Sequence, residues 1–153
     1  MSSVQANEVI YYNSLYRHGV DEKRRLQIPA KWRPSQGAIE LTLILWPKGA
    51  HKACLLALPP NEWVSLVSRL KTMPFADQKT AALRRLIGRN SDQIPLDKGG
   101  RICLPEAMAK AAAIEKEAVL VGLVDRFEIW NPQRYDEASI EDEALSSEAF
   151  QLI

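Results

Sequence analysis

Two cysteines and two histidines are all that this 153-residue chain holds of the residues most used to bind transition metals. Neither pair is spaced as a zinc site. A Gly-rich phosphate loop, a metal motif and a nucleophile elbow are likewise absent, so catalysis has no residues to rest on. His18 and His51 stand apart, neither beside a Ser, Cys or carboxylate pattern of catalytic type. Cys54 and Cys103 lie inside apolar runs, Ala53-Cys54-Leu55-Leu56 and Ile102-Cys103-Leu104, and read as buried, reduced thiols of an intracellular protein. The longest apolar stretches are too short to span a bilayer. Met1-Ser2-Ser3-Val4-Gln5 has neither a basic n-region nor an apolar h-region, which argues against secretion. These absences predict a soluble cytoplasmic protein that is not an enzyme, with no metal, cofactor, small-molecule substrate or membrane partner.

What is present begins with an uneven charge. The formal net charge is +1, a total that hides a basic front and an acidic tail. Arg17, Lys23, Arg24, Arg25, Lys31 and Arg33 are opposed locally only by Asp21 and Glu22. Asp136, Glu137, Glu141, Asp142, Glu143 and Glu148 face no basic residue in their own stretch. Arg84-Arg85 with Arg89 reads as the solvated face of a helix. A hydrophobic fraction of 46% is enough for a sizeable core.

The chain also repeats itself. Val20-Asp21-Glu22-Lys23-Arg24-Arg25-Leu26-Gln27-Ile28-Pro29 aligns with Leu96-Asp97-Lys98-Gly99-Gly100-Arg101-Ile102-Cys103-Leu104-Pro105 at a constant offset, since 97 − 21 and 105 − 29 are both 76. Each proline opens a short helical pattern, Ala30-Lys31-Trp32-Arg33 and Glu106-Ala107-Met108-Ala109-Lys110-Ala111, because a missing N–H costs nothing at the first helical position. Two apolar runs with strand character follow in each copy, then a Pro-initiated helix carrying Trp63 or Tyr135. That last stage has an offset of 72, which implies a loop about four residues longer around Trp46-Pro47-Lys48-Gly49-Ala50-His51-Lys52. Helices are expected over 61–71 and 77–87, the second placing Ala81, Leu83 and Leu86 near Ile87 on one stripe. Trp32, Trp63 and Trp130 fit core or interface packing. The expected architecture is α+β, two pseudo-symmetric hairpin–helix repeats packed as one compact domain over 1–153. Its parts are repeat 1 at about 9–71, a linker helix at about 77–88, repeat 2 at about 92–136 and an acidic tail at 137–153.

The repeated turn is where chemistry concentrates. Asp21 and Asp97 are placed to form the turns by accepting backbone N–H groups two residues on. Gly99 and Gly100 permit positive φ and close approach to another molecule. Arg25 and Arg101 open the outgoing strands, where a guanidinium pairs bidentately with phosphate or a guanine edge, while Lys23, Arg24 and Lys98 offer charge to phosphate. One basic hairpin is ordinary surface decoration. Two in register point to a device used twice, and double-stranded DNA is the partner its chemistry suits.

The doubled motif resembles the MraZ family of bacterial transcriptional regulators, whose halves belong to the AbrB-like swapped-hairpin group. That family's turn reads Asp-x-Lys-Gly-Arg followed by three residues and Pro. Asp21, Lys23, Arg25 and Pro29 match it, as do Asp97, Gly100, Arg101 and Pro105. Cys54-Leu55-Leu56-Ala57-Leu58-Pro59-Pro60-Asn61-Glu62-Trp63 and the stretch from Glu115 to Trp130 are also similar to the family, so the likeness runs from about Val9 to Tyr135. Arg24 departs from it by standing where the first turn has glycine, a position strained for arginine if φ is positive. Gly99 departs by standing where the second has lysine, with Lys98 beside it. The resemblance implies a nucleoid-associated homo-oligomer, ring-shaped, that binds short direct repeats in the promoter of the division and cell-wall gene cluster and acts as a repressor. The alternative is an interaction module of antitoxin type, in which the same fold dimerises and the acidic tail holds a partner.

Overall fold

The computed structural model describes residues 8–153, the side chain of His51 excepted, so the expectations placed on Met1–Gln5 and on His51 lie outside the described residues. Among the described residues eight strands are formed: β1 Leu15–Gly19, β2 Arg25–Gln27, β3 Glu40–Pro47, β4 Ala53–Leu58, β5 Ser91–Pro95, β6 Arg101–Cys103, β7 Glu117–Gly122 and β8 Phe127–Trp130. The helices are α1 Pro60–Lys71, α2 Gln78–Arg89, α3 Glu106–Ala111, α4 Pro132–Ala144 and α5 Ser146–Phe150. No helix among the described residues is long and apolar enough to cross a membrane.

The strands make a six-stranded antiparallel sheet, β1-β7-β8-β4-β3-β5, and a separate ribbon, β2-β6. Each repeat gives its first strand to the other: β1 lies on β7, and β5 lies on β3. This exchange is in keeping with the swapped-hairpin group that the resemblance implies, although no residue reading assigned the partners. A pseudo-two-fold axis follows from the registers. It passes between Leu26 and Ile102 in the ribbon, and between Leu56 and Glu128 where β4 meets β8. The same registers equate Ile44 with Val121 and Ala57 with Ile129, giving offsets of 121 − 44 = 77 and 129 − 57 = 72. The β3–β4 connection is therefore five residues longer than its counterpart rather than four, and the second copy has one extra residue before β7.

Alternation along the strands sorts side chains to two faces. Leu43, Leu55, Ala57, Leu120, Phe127 and Ile129 face the ribbon and meet Leu26, Ile102, Trp32 and Met108 in the main core. Ile44, Leu56 and Leu58 face the other way under α1 and α2, and Cys54, Val119 and Trp130 lie under α4. Both faces of the central strands are covered, which is why Cys54-Leu55-Leu56-Ala57-Leu58 is apolar throughout. Asp77 caps α2 by accepting the Lys79 N–H at 2.9 Å, and Asn131 caps α4 through the Arg134 N–H at 2.9 Å.

Four expectations change. The first copy forms only a 3-10 turn over Ala30–Trp32, since Arg33 precedes Pro34 and takes an extended conformation (φ −104°, ψ 143°). On α2 the buried residues are Thr80 and Ile87, whereas Leu83 and Leu86 are exposed. Cys103 is exposed rather than buried, because in a three-residue strand only the middle side chain, Ile102, points inward. Finally, α4 runs unbroken through the border set at 136–137, and Ala138 within it is buried against Trp130, Cys54 and Val119.

Candidate nucleic-acid interface

Each turn is built around its aspartate. Asp21 Oδ1 accepts the N–H groups of Lys23 at 2.9 Å and Arg25 at 2.8 Å, and Oδ2 accepts Arg25 Nε at 2.6 Å. Asp97 Oδ1 accepts the N–H groups of Gly99 at 2.8 Å and Arg101 at 2.9 Å, and Oδ2 accepts Arg101 Nε at 3.1 Å. The backbone closes the loops in parallel, with Arg24 N–H donating to Asp21 O at 2.9 Å and Gly100 N–H to Asp97 O at 3.0 Å. Every bond has its counterpart 76 residues on. Chiefly the backbone N–H of Arg25 lowers the pKa of the Asp21 carboxyl, and that of Arg101 lowers Asp97. Both carboxylates stay charged at neutral pH and pin the arginines through Nε.

The ribbon ties the turns together. Leu26 and Ile102 pair at its centre and are fully buried, while Leu104 N–H donates to Arg24 O and Ile28 N–H to Gly100 O, each at 2.9 Å. Gln27 Nε2 donates to Gly99 O at 2.9 Å, and Cys103 Sγ to Lys23 O at 3.3 Å. Because β2 and β6 are antiparallel, the turns sit at opposite ends of one ribbon, and alternation sends Arg25, Gln27, Arg101 and Cys103 away from the core.

The predicted residues come together with differences. Lys23 and Lys98 are exposed on the turn tips, as are Asp21, Asp97 and Gly99. Gly100 has φ +81° and Arg24, its counterpart, φ +60°, so the first turn does hold an arginine in the left-handed region. Arg24 is half-buried, with Nε donating to Leu104 O at 2.9 Å across the pseudo-axis. It is braced rather than standing free at the tip.

Two outward or groove-lining residues escaped sequence reasoning. Gln27 has a local signal, the alternation Arg25-Leu26-Gln27. Arg33 has none, because what brings it beside the second turn is long-range packing. It lines a groove with Lys31, Asp97, Lys98 and Gly100. Among the described residues no cluster of three His, Cys, Asp or Glu side chains is arranged to hold a metal.

Comparison with known proteins fits this geometry to a family. The family model for MraZ, described as "MraZ protein, putative antitoxin-like", matches residues 87–151. The transcriptional regulator MraZ of Clostridium tetani is 34% identical over 140 residues, 90% of this chain and 95% of that protein. Those of Acetivibrio thermocellus and Desulforamulus reducens are 32% and 33% identical, over 88% and 84% of this chain and 90% and 87% of theirs. With a doubled Asp-to-Pro turn, exchanged first strands and relatives matched almost end to end, the chain belongs to the MraZ family.

Proposed function

We propose that this protein is a sequence-specific DNA-binding transcriptional regulator that sets the outward face of the β2–β6 ribbon against duplex DNA. The observation that carries the reading is the repeated arrangement in which Asp21 and Asp97 pin Arg25 and Arg101 at the two ends of one ribbon. A major groove about 12 Å wide admits a two-stranded ribbon, and a held guanidinium suits the O6 and N7 acceptors of guanine. Arg25 and Arg101 are the principal contacts. Lys23 and Lys98 hold phosphates, and Arg24 adds its charge to the same face. Relatives named as transcriptional regulators speak for regulation rather than catalysis. Repression at the division and cell-wall promoter, and residence in the cytoplasm on the nucleoid, complete the proposal.

The active form is a homo-oligomer, a ring. One ribbon carries few base contacts, whereas several held rigidly gain by effective concentration on repeated sites. The exposed Leu83 and Leu86 of α2, with a shallow hollow lined by Ala82, Arg85, Leu86, Gly88 and Arg89, support such an interface. Selection of random duplexes on the purified protein, with light scattering of the free protein, tests both parts. A directly repeated motif should be enriched, and the mass should be several times that of one chain. Selection without any enriched motif, or a monomeric mass, would contradict the corresponding part.

A further inference from the structure

The second turn carries Gly99 and Gly100 where the first carries Lys23 and Arg24, yet a guanidinium lies against it all the same. Arg33, from the first repeat, lays its side chain across Gly100. A β-carbon on that glycine would sit 2.0 Å from Arg33 Nη1, 2.7 Å from Cζ and 2.8 Å from Cδ. Gly100 is consequently buried although it belongs to a turn.

The pseudo-symmetry shows the other half of this exchange. The residue 76 positions beyond Arg33 is Ala109, too short to lie over the first turn. There the turn's own Arg24 runs to the start of α3, where its Nε meets Leu104 O at 2.9 Å. At these corresponding positions one half therefore has Arg24 and Ala109, and the other has Gly100 and Arg33. The arginine changes repeat, but each turn keeps one.

Packing alone does not account for Arg33. It is half-buried, and its Nε meets no hydrogen-bond acceptor. The groove it lines also holds Lys31, Lys98 and Ser35, with two carboxylates that are already engaged. Asp97 is turned onto its own loop, and Glu8 accepts from the Ser35 N–H at 3.0 Å and Oγ at 3.2 Å. Three cations, Lys31, Arg33 and Lys98, line one open groove beside the second turn and form a cradle suited to a phosphodiester oxygen.

We propose that Arg33 holds a DNA phosphate at the second turn, supplied by the first repeat and assisted by Lys31 and Lys98. The inference rests on the reading of the ribbon as DNA-binding. The experiment is fluorescence anisotropy of the full chain with the duplex that random selection enriches, titrated between 50 and 200 mM salt. Each phosphate that the protein no longer neutralises lowers the salt slope by about 0.9, so for each engaged copy Arg33→Ala should lose roughly 3-fold less affinity across that range than wild type. Arg33→Lys should keep the slope, and Gly100→Arg combined with Arg33→Ala should restore it by copying the first turn. Circular dichroism melting of each variant shows that it is folded, and Arg33→Gln, which keeps most of the stem, replaces Arg33→Ala if that variant is not. An unchanged slope, with or without weaker binding, would leave Arg33 a packing residue and overturn the inference alone. A wild-type protein that enriches no duplex would overturn the DNA reading and the inference together.

Discussion

Gly122→Ala tests how tightly the N-terminal segment is locked to the sheet. A β-carbon at Gly122, on β7, would lie 2.0 Å from the carbonyl oxygen of Tyr12 and 2.5 Å from its carbonyl carbon. Both are backbone atoms, so no rotamer change relieves the clash. The segment must lift instead. Lifting it breaks Tyr12 N–H to Val124 O (2.8 Å), Val124 N–H to Tyr12 O (3.0 Å) and Gly122 N–H to Ser14 O (3.0 Å). At about 0.5–1.5 kcal/mol net for each of the three bonds, the loss is about 1.5–4.5 kcal/mol. Tyr12 adds to it, since its ring packs on Phe127 at 5.4 Å and Trp32 at 5.7 Å. At roughly 2–4 °C per kcal/mol for a chain of this size, thermal denaturation should show a midpoint about 3–18 °C below wild type. Gly88→Ala is the control, since Gly88 has nothing within 4 Å of its β-carbon position and sits inside α2. It should stabilise by about 0.5–1 kcal/mol. A Gly122→Ala variant melting within a degree of wild type would refute the reasoning.

Other consequences follow from burial and charge. Burial pushes the Cys54 thiol up to about 12, helped by nearby Glu128, and pushes the Tyr12 hydroxyl to about 12 as well. Both groups stay protonated when folded and lose their protons more easily when unfolded, so stability is full below pH about 9 and declines between about 9 and 12. Urea titrations across that range should show a flatter decline for Cys54→Ala, and an identical profile would refute the assignment. At neutral pH a maleimide should label the exposed Cys103 in the native protein and leave Cys54 unlabelled until unfolding; equal rates would contradict the strand alternation. Leu83→Glu with Leu86→Glu should reduce the mass seen by light scattering while leaving the stability of the chain within about 0.5 kcal/mol, as surface changes do. A full-sized assembly would remove α2 from the proposed interface.

What the sequence displayed of all this was its local chemistry. Asp, Arg and Pro at fixed spacing have the same hydrogen-bonding roles wherever they fold, so the doubled turn and the Pro-initiated helices could be read directly. Partner choice was hidden, because nothing within Leu15–Gly19 says that it pairs with β7 of the other repeat. The α2 stripe was misjudged for a related reason. Leu83 and Leu86 satisfy helical spacing with Ile87, but Ile87 packs on Ile44, Leu56 and Leu58 of the sheet and Thr80 is buried, while the two leucines stay outside. Cys103 looked buried because its neighbours are apolar, whereas alternation in a short strand decides its side. Arg33 was visible only as one more charge until the packing of Gly100 beneath it gave it a place.

The central claim is that Arg25 and Arg101 read DNA from the ends of one ribbon. Its most direct test is the affinity of the Arg25→Ala, Arg101→Ala double variant for the selected duplex, measured by anisotropy beside the light-scattering mass of the same sample. Removing two bidentate guanidinium–base pairs at about 1–3 kcal/mol each predicts binding at least ~30-fold weaker, with the oligomer unchanged. Wild-type affinity in a variant of unchanged mass would contradict the account.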